Sequence, residues 1–240
     1  MKINWNSIKL LLLIAVITGL FAFSNLRSDQ KKITGIEVKF ENGDNLYLTT
    51  AMVNKLLIQS FDGVQNMPKE KLALSTMEKA VEANEMVKNA QVYLTVNGNL
   101  IAQVAQKNPI GRVEGRRTTF YLDDEGERMP LSKNHSARVP LITGKISDDS
   151  LEDVYAIINY VNSDDFLKKN MIGVHIVNEK KYQLKLRMHD FVLKIGEAEN
   201  LKEKFNKFKA FYVKATKDQL FKNYNTVSLE YNNQVVCTKI

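Results

Sequence analysis

The chain has 240 residues, of which 44% are hydrophobic and 25% charged, and its formal net charge is +7. This composition excludes an intrinsically disordered chain, and the length predicts one or two folded domains. Residues 1–32 contain five basic side chains and one acidic, a net of +4, which leaves only +3 for residues 33–240. We therefore expect the basic N-terminal residues to bind membrane lipid head groups, and we expect the protein not to bind nucleic acid.

The N-terminal segment is apolar. Residues 10–23 carry no charge, and an extension over residues 5–26 reaches the length of about 20 residues that a membrane span needs. We predict a cytoplasmic tail over 1–9 and a single transmembrane helix over 10–26. The alternative is a cleaved signal peptide, because small residues lie near Ala22 and Ser24. Basic residues flank both ends, so the orientation rests on the shortness of the tail, which places the later domains outside the membrane.

The first half of the folded part predicts a compact unit over 33–107. Alternating residues 33–40 indicate a strand, Thr49 or Thr50 can start a helix, and Ser75 with Glu78 has the spacing of a capping box for a second helix. Strands are predicted over 91–96 and 100–105, joined by the hairpin turn Asn97-Gly98. The predicted order is strand, helix, helix, strand, strand.

The second half predicts a mixed, β-rich domain over 108–240 with two packed helices. Strands are expected over 118–122, 172–177, 182–186, 191–195, 226–231 and 234–238, with Asn232-Asn233 as the last hairpin turn. Helices are expected from Ser150 and from Leu201, and residues 140–144 are expected to form a loop. The lysines of the second helix are predicted to be solvated, and they are Lys202, Lys204, Lys207, Lys209 and Lys214. The fold class is α+β.

The sequence predicts no catalytic, cofactor or metal site. Cys237 is the only cysteine, and His135, His175 and His189 are far apart without other ligands at metal-binding spacing. The acidic pairs at 123–124, 148–149 and 164–165 fall in predicted turns or helix starts, where solvated or capping roles are usual. Glycine-rich nucleotide loops and a nucleophile elbow are missing from the sequence, so we predict a protein that is not an enzyme.

Several short motifs follow one another in a recognisable order. They are Val87-Lys88-Asn89-Ala90-Gln91-Val92, Asn97-Gly98-Asn99-Leu100, Asn108-Pro109-Ile110-Gly111-Arg112, Tyr121-Leu122-Asp123-Asp124-Glu125-Gly126 and Val139-Pro140-Leu141-Ile142-Thr143-Gly144. Behind an apolar N-terminus, this series resembles the FtsQ/DivIB family of bacterial cell-division proteins, and the first unit resembles a POTRA domain. The chain departs from the family at Glu85-Met86, where Leu-Pro-Trp is frequent, and at Asn108, which replaces a charged residue.

The resemblance implies a non-enzymatic divisome scaffold of the inner membrane at the septum, with its domains in the periplasm. It would link early and late division proteins, binding FtsB- and FtsL-like partners at the edge of the C-terminal sheet and other division proteins through the POTRA unit. The site residues expected from it, and from the edge position of the last strands, are Tyr231, Glu230, Asn233, Val235, Lys180 and Lys181.

Four of these residues have an expected role or an open alternative. Tyr231 matches an aromatic anchor of the family, although it could instead pack within the sheet. Glu230 stands where the family often has arginine, and Lys180 and Lys181 could supply the positive charge. Two other functions remain open, a secreted or periplasmic hydrolase with a cleaved signal peptide and a POTRA protein of outer-membrane assembly.

Overall fold

The computed structural model describes residues 5–29, 33–43, 45–60, 74–116 and 118–240, so residues 1–4 of the predicted cytoplasmic tail lie outside the described residues. By its internal contacts the chain divides into two compact units, Met1–Gln106 and Lys107–Ile240. The predicted domain limits stay predictions, because compactness alone does not establish independent folding. Each unit has a hydrophobic core of its own, formed by residues of that unit.

The transmembrane part of the predicted fold is wrong. Helix α1 spans Trp5–Asp29, but the described part of the chain contains no helix that is both long and apolar enough to cross a membrane. The uncharged run of residues 10–23 is shorter than the about 20 residues of a span, and polar or charged side chains such as Lys9 and Ser24 interrupt its extension.

Beyond α1, the described residues of the first unit form a three-stranded sheet and two α-helices. Its elements are β1 Gly35–Phe40, α2 Thr50–Ser60, α3 Leu74–Glu82, β2 Val87–Leu94 and β3 Asn99–Gln106. The sheet has the order β1-β3-β2, with β1 parallel and β2 antiparallel to β3. The β2–β3 hairpin turns at Gly98, whose φ of 90° is readily adopted by glycine.

The core of the first unit lies between this sheet and the two helices. Val53 and Leu57 of α2 and Met77 and Val81 of α3 are buried with Leu100, Ala102 and Val104 of β3. The spacing of four residues along each helix puts its buried side chains on one face, as an amphipathic helix requires.

Helix α3 covers the outer edge of β2 instead of using Glu78 in a capping box. Ser75 lies inside the helix, and the Glu78 Oε1 atom accepts the Val92 N–H at 2.9 Å. The Glu82 Oε1 atom, one turn later, accepts the Ala90 N–H at 3.2 Å. Because β2 is the last strand on this side of the sheet, the two carboxylates occupy backbone donors that would otherwise face water.

The second unit is a nine-stranded mixed sheet with helices over one face. In chain order its elements are β4 Pro109–Glu114, β5 Thr119–Asp123, β6 Arg128–Met129, β7 Leu141–Gly144, α4 Asp148–Asn162, α5 Asp165–Asn170, β8 Met171–Asn178, β9 Lys181–Leu186, β10 Val192–Gly196, α6 Leu201–Lys217, β11 Tyr224–Ser228 and β12 Val236–Lys239. The strand order is β12-β11-β10-β9-β8-β7-β4-β5-β6.

Three predictions for this unit are wrong. Residues 141–144 form strand β7 rather than a loop, and this strand lies parallel to both β4 and β8. A third helix, α5, joins the two that were predicted. Strand β11 ends at Ser228, three residues earlier than expected, so Asn232-Asn233 is not a two-residue hairpin turn.

The core of the second unit lies between the sheet and its helices. Val154 and Ile158 of α4 and Phe205 and Phe208 of α6 are buried together with Ile142, Val174, Leu184, Leu193 and Val227 of five successive strands. Each of these five strand residues lies directly opposite the next one across the sheet, in the order Ile142, Val174, Leu184, Leu193 and Val227. Their side chains therefore lie on one face of the sheet. The Phe211 ring of α6 lies 6.0 Å from the Tyr224 ring of β11 between centroids, so α6 lies beside β11, the neighbour of β12.

Candidate partner-binding edge

Strand β12 forms one end of the nine-stranded sheet. It pairs antiparallel with β11, with Thr238 opposite Thr226 and Val236 opposite Ser228. In the described part of the chain no strand pairs with its other side. An edge of this kind presents backbone N–H and C=O groups to which a further strand can be added.

The segment between β11 and β12 is a loop over residues 229–235. Leu229 is buried, and its N–H donates to the Lys194 carbonyl of β10 at 2.8 Å, so contact with the neighbouring strand continues beyond the end of β11. Asn233 has a φ of 57°, a left-handed conformation that asparagine tolerates better than most residues. The loop therefore replaces the predicted tight turn.

Tyr231 lies in this loop, outside both strands, and its side chain is 50% exposed. Its carbonyl oxygen accepts a hydrogen bond from the Lys207 Nζ atom of α6 at 2.8 Å. The ring is thus available at the surface while its backbone is held by a helix.

Glu230 points back toward the end of the sheet. Its Oε2 atom accepts from the Ser228 hydroxyl at 3.0 Å. Gly196 of β10, with a φ of 65°, lies against it, and a Cβ atom at this glycine would come 2.8 Å from the Glu230 Cγ atom. Glu230 also acts on Lys204 of α6. Desolvation lowers the pKa of Lys204, and the charges of nearby carboxylates, Glu197 most and Glu230 least, partly offset this decrease.

The remaining predicted site residues lie at different distances from the edge. Asn233 is exposed, whereas Val235 is half-buried against the core of the second unit. Lys180 and Lys181 are exposed at the β8–β9 turn. The sheet register puts this turn and the 229–235 loop at the same end of the sheet, with about 10 Å, two strand spacings, between β9 and β11.

Three lysines of α6 that were predicted to be solvated contact neighbouring segments. The Lys204 Nζ atom donates to the Glu197 carbonyl at 2.7 Å, Lys207 donates to Tyr231, and Lys209 pairs with Asp164. Sequence periodicity missed these contacts because long side chains beside a buried stripe can turn toward other segments.

One member of each acidic pair has a structural partner, and Asp148 and Asp164 pair with Arg128 and Lys209. Of the two predicted roles, solvated or capping, Asp123 has the second: it is buried, and its Oδ1 atom accepts the N–H groups of Glu125 and Glu127 at 3.0 and 2.7 Å. Its Oδ2 atom lies 3.1 Å from the Lys107 Nζ atom. That oxygen has no hydrogen bond of good angle, so its pairing with Lys107 is chiefly electrostatic.

The histidines also lie apart. His175 shares a hydrogen bond of 2.9 Å with the Thr143 hydroxyl, and His189 contacts the Tyr212 hydroxyl at 3.1 Å and stacks on the Phe221 ring. Burial lowers the pKa of His189. Among the described residues, no three His, Cys, Asp or Glu side chains come together in a way that could hold a metal ion.

Residues 108–238 match the profile of a family described as "FtsQ/DivIB, C-terminal related". The chain belongs to this family. FtsQ/DivIB proteins are cell-division proteins, so the resemblance noted in the sequence is confirmed. The match covers β4 through most of β12 and therefore includes the candidate edge.

Two further comparisons add little detail. No curated protein sequence matches the chain. Among solved structures, the major extracytoplasmic domain of the cell-division protein DivIB from Geobacillus stearothermophilus, in its trans isomer, matches at 15% identity with a TM-score of 0.35. That match covers 48% of this chain and 96% of the DivIB domain.

Proposed function

We propose that this FtsQ/DivIB family protein is a non-enzymatic scaffold of the divisome, acting at the septum. Its partners are proteins of the FtsB and FtsL kind, whose extended segments add to the β12 edge and contact Tyr231. The proposal is carried by one observation, an edge strand whose outer side pairs with no strand of the described residues and which lies beside a half-exposed aromatic ring.

The direct test is capture of purified FtsB- and FtsL-like proteins from the same genome by the full chain and by its Tyr231→Ala variant. We expect the variant to bind at least about 30-fold more weakly, because truncation of an aromatic anchor commonly costs about 2 kcal/mol or more. Its melting temperature should stay close to that of the parent, because the ring is half exposed.

Tyr93→Ala is the matched control, because Tyr93 is 41% exposed and lies in β2, in a different sheet from β12. It should leave capture unchanged. Equal capture by the Tyr231→Ala variant and the parent would contradict the partner contact. The scaffold role has a separate readout in cells, where a fluorescent fusion should gather at the septum and depletion should produce filaments.

A further inference from the structure

We propose that Lys207 of α6 is a positioning residue, which holds the backbone of Tyr231 so that its ring is presented beside the β12 edge. The inference deepens the proposed function and rests on it. In this proposal Lys207 contacts the carbonyl of Tyr231 and does not itself contact the partner.

The geometry around Lys207 favours this role. Its Nζ atom donates to the Tyr231 carbonyl at 2.8 Å and lies 3.5 Å from the Glu203 carboxylate, one helical turn earlier. The Lys207 side chain is only 17% exposed, much less than expected for a lysine on a solvated helix face. Glu203 provides a second contact that limits the directions in which the ammonium group can point.

The helix that carries Lys207 cannot easily rotate. Phe205 and Phe208, on either side of it in sequence, are both buried in the core of the second unit. The Phe205 ring also stacks on Tyr160 of α4, with 5.2 Å between ring centroids. The position of the Lys207 stem is therefore set by the core and not by the loop that it contacts.

The loop is held at three successive residues. Leu229 is buried and bonded to β10, Glu230 is bonded to Ser228, and Tyr231 is bonded to Lys207. Residues 232–234 that follow are exposed. Lys207 thus supplies the third of these contacts, immediately before the exposed part of the loop. Without it the backbone of Tyr231 would gain conformational entropy, which would be lost again when a partner binds.

A substitution series isolates the donated hydrogen bond. Lys207→Met keeps an unbranched apolar stem but removes the donor, and Lys207→Arg retains a cationic donor. Lys202→Met is the matched control, because it makes the same change at an exposed lysine of the same helix. Each variant is measured by hydrogen exchange of residues 229–235 and by capture of the partner proteins used above.

We expect Lys207→Met to speed exchange in the loop and to weaken capture about two- to tenfold, the range set by one hydrogen bond. Its melting temperature should change by no more than a few degrees, Lys207→Arg should restore most of the capture, and Lys202→Met should match the parent. Unchanged loop exchange in Lys207→Met overturns the inference. So does normal capture by Lys207→Met when Tyr231→Ala has lost it, whereas normal capture by Tyr231→Ala overturns the partner contact itself.

Discussion

At the scale of single residues, side chains of this protein that looked solvated in the sequence hold separate segments together. Asp164 is an example, because it accepts the Leu167 N–H at 3.0 Å as the N-cap of α5 and also pairs with Lys209 of α6. The hydrogen bond from Lys209, together with that from Leu167, lowers the pKa of Asp164. One carboxylate therefore stabilises the start of a short helix and its attachment to a longer one.

Replacement of Asp164 by alanine should lower the free energy of unfolding by about 1 kcal/mol at pH 7, the usual cost of losing an N-cap. Because the folded-state pKa is depressed, this stability is present above the unfolded value of about 3.9 and is lost as the pH falls through the folded pKa. Urea unfolding of the variant and the parent at pH 7 and pH 3 measures both effects. The difference should shrink at pH 3, and Asp165→Ala, at an exposed neighbour, should show a smaller loss.

At the scale of elements, the two sheets differ in whether an outer strand is covered. The outer edge of β2 is occupied by Glu78 and Glu82 of α3, whereas no described strand pairs with the outer side of β12. An uncovered strand edge invites pairing with other chains, and covering it with a helix prevents this. In the first unit we therefore expect β2 to be closed to added strands.

Loss of the α3 carboxylates should expose the edge of β2. Glu78→Ala should cost about 1 kcal/mol of stability, because the Val92 N–H loses its acceptor. Hydrogen exchange at Ala90 and Val92 should rise further in the Glu78→Ala, Glu82→Ala double variant. Glu78→Gln keeps an acceptor and should behave like the parent, and Glu85→Ala serves as the control at an exposed position. Unchanged exchange at Val92 would show that another group covers this edge.

Sequence periodicity predicted the long elements of this chain better than the short ones. The helices α4 and α6 and the strands β8, β9 and β10 were predicted within a few residues, because each shows a regular apolar repeat. The four-residue strand β7 was missed because Pro140 and Gly144 mark its ends as a loop, and only Ile142 of its residues is fully buried.

The candidate edge could be predicted only in part. The position of the last strand was inferred correctly, since β12 lies at an end of the sheet. The loop before it was missed because Asn232-Asn233 is a typical turn signal. The contact between Leu229 and Lys194 of β10, which shapes the loop, joins residues far apart in sequence and has no local signature. The contact between Lys207 and Tyr231 also joins residues far apart in sequence, so it could not be predicted from a local pattern.

At the scale of the whole molecule, the two hydrophobic cores share no residue. Lys107 is the first residue of the second unit, and only 11% of its side chain is exposed. It lies beside the buried Asp123 carboxylate. Burial lowers the pKa of Lys107, but the hydrogen bond to Glu127 and the charge interactions with Asp123 and Glu127 outweigh this and raise it. The charge that balances Asp123 therefore belongs to the unit in which Asp123 is buried.

A fragment of residues 107–240 should fold without the first unit. We expect its circular dichroism to indicate mixed α and β structure and its urea unfolding to be cooperative. Lys107→Met in this fragment should cost roughly 3 kcal/mol, because it leaves the buried Asp123 carboxylate unpaired. Lys133→Met, at an exposed lysine, is the control and should have little effect. A fragment without a cooperative transition would show that the second unit depends on the first.

The bond from Lys207 to the carbonyl of residue 231 has a consequence for how the surface can diverge between species. A carbonyl is common to all amino acids, so exchange of the residue at position 231 leaves the acceptor in place. The side chain at position 231 can therefore be exchanged while the hydrogen bond from Lys207 to the backbone is kept. The exposed ring and the held backbone of Tyr231 thus depend on different atoms of the same residue.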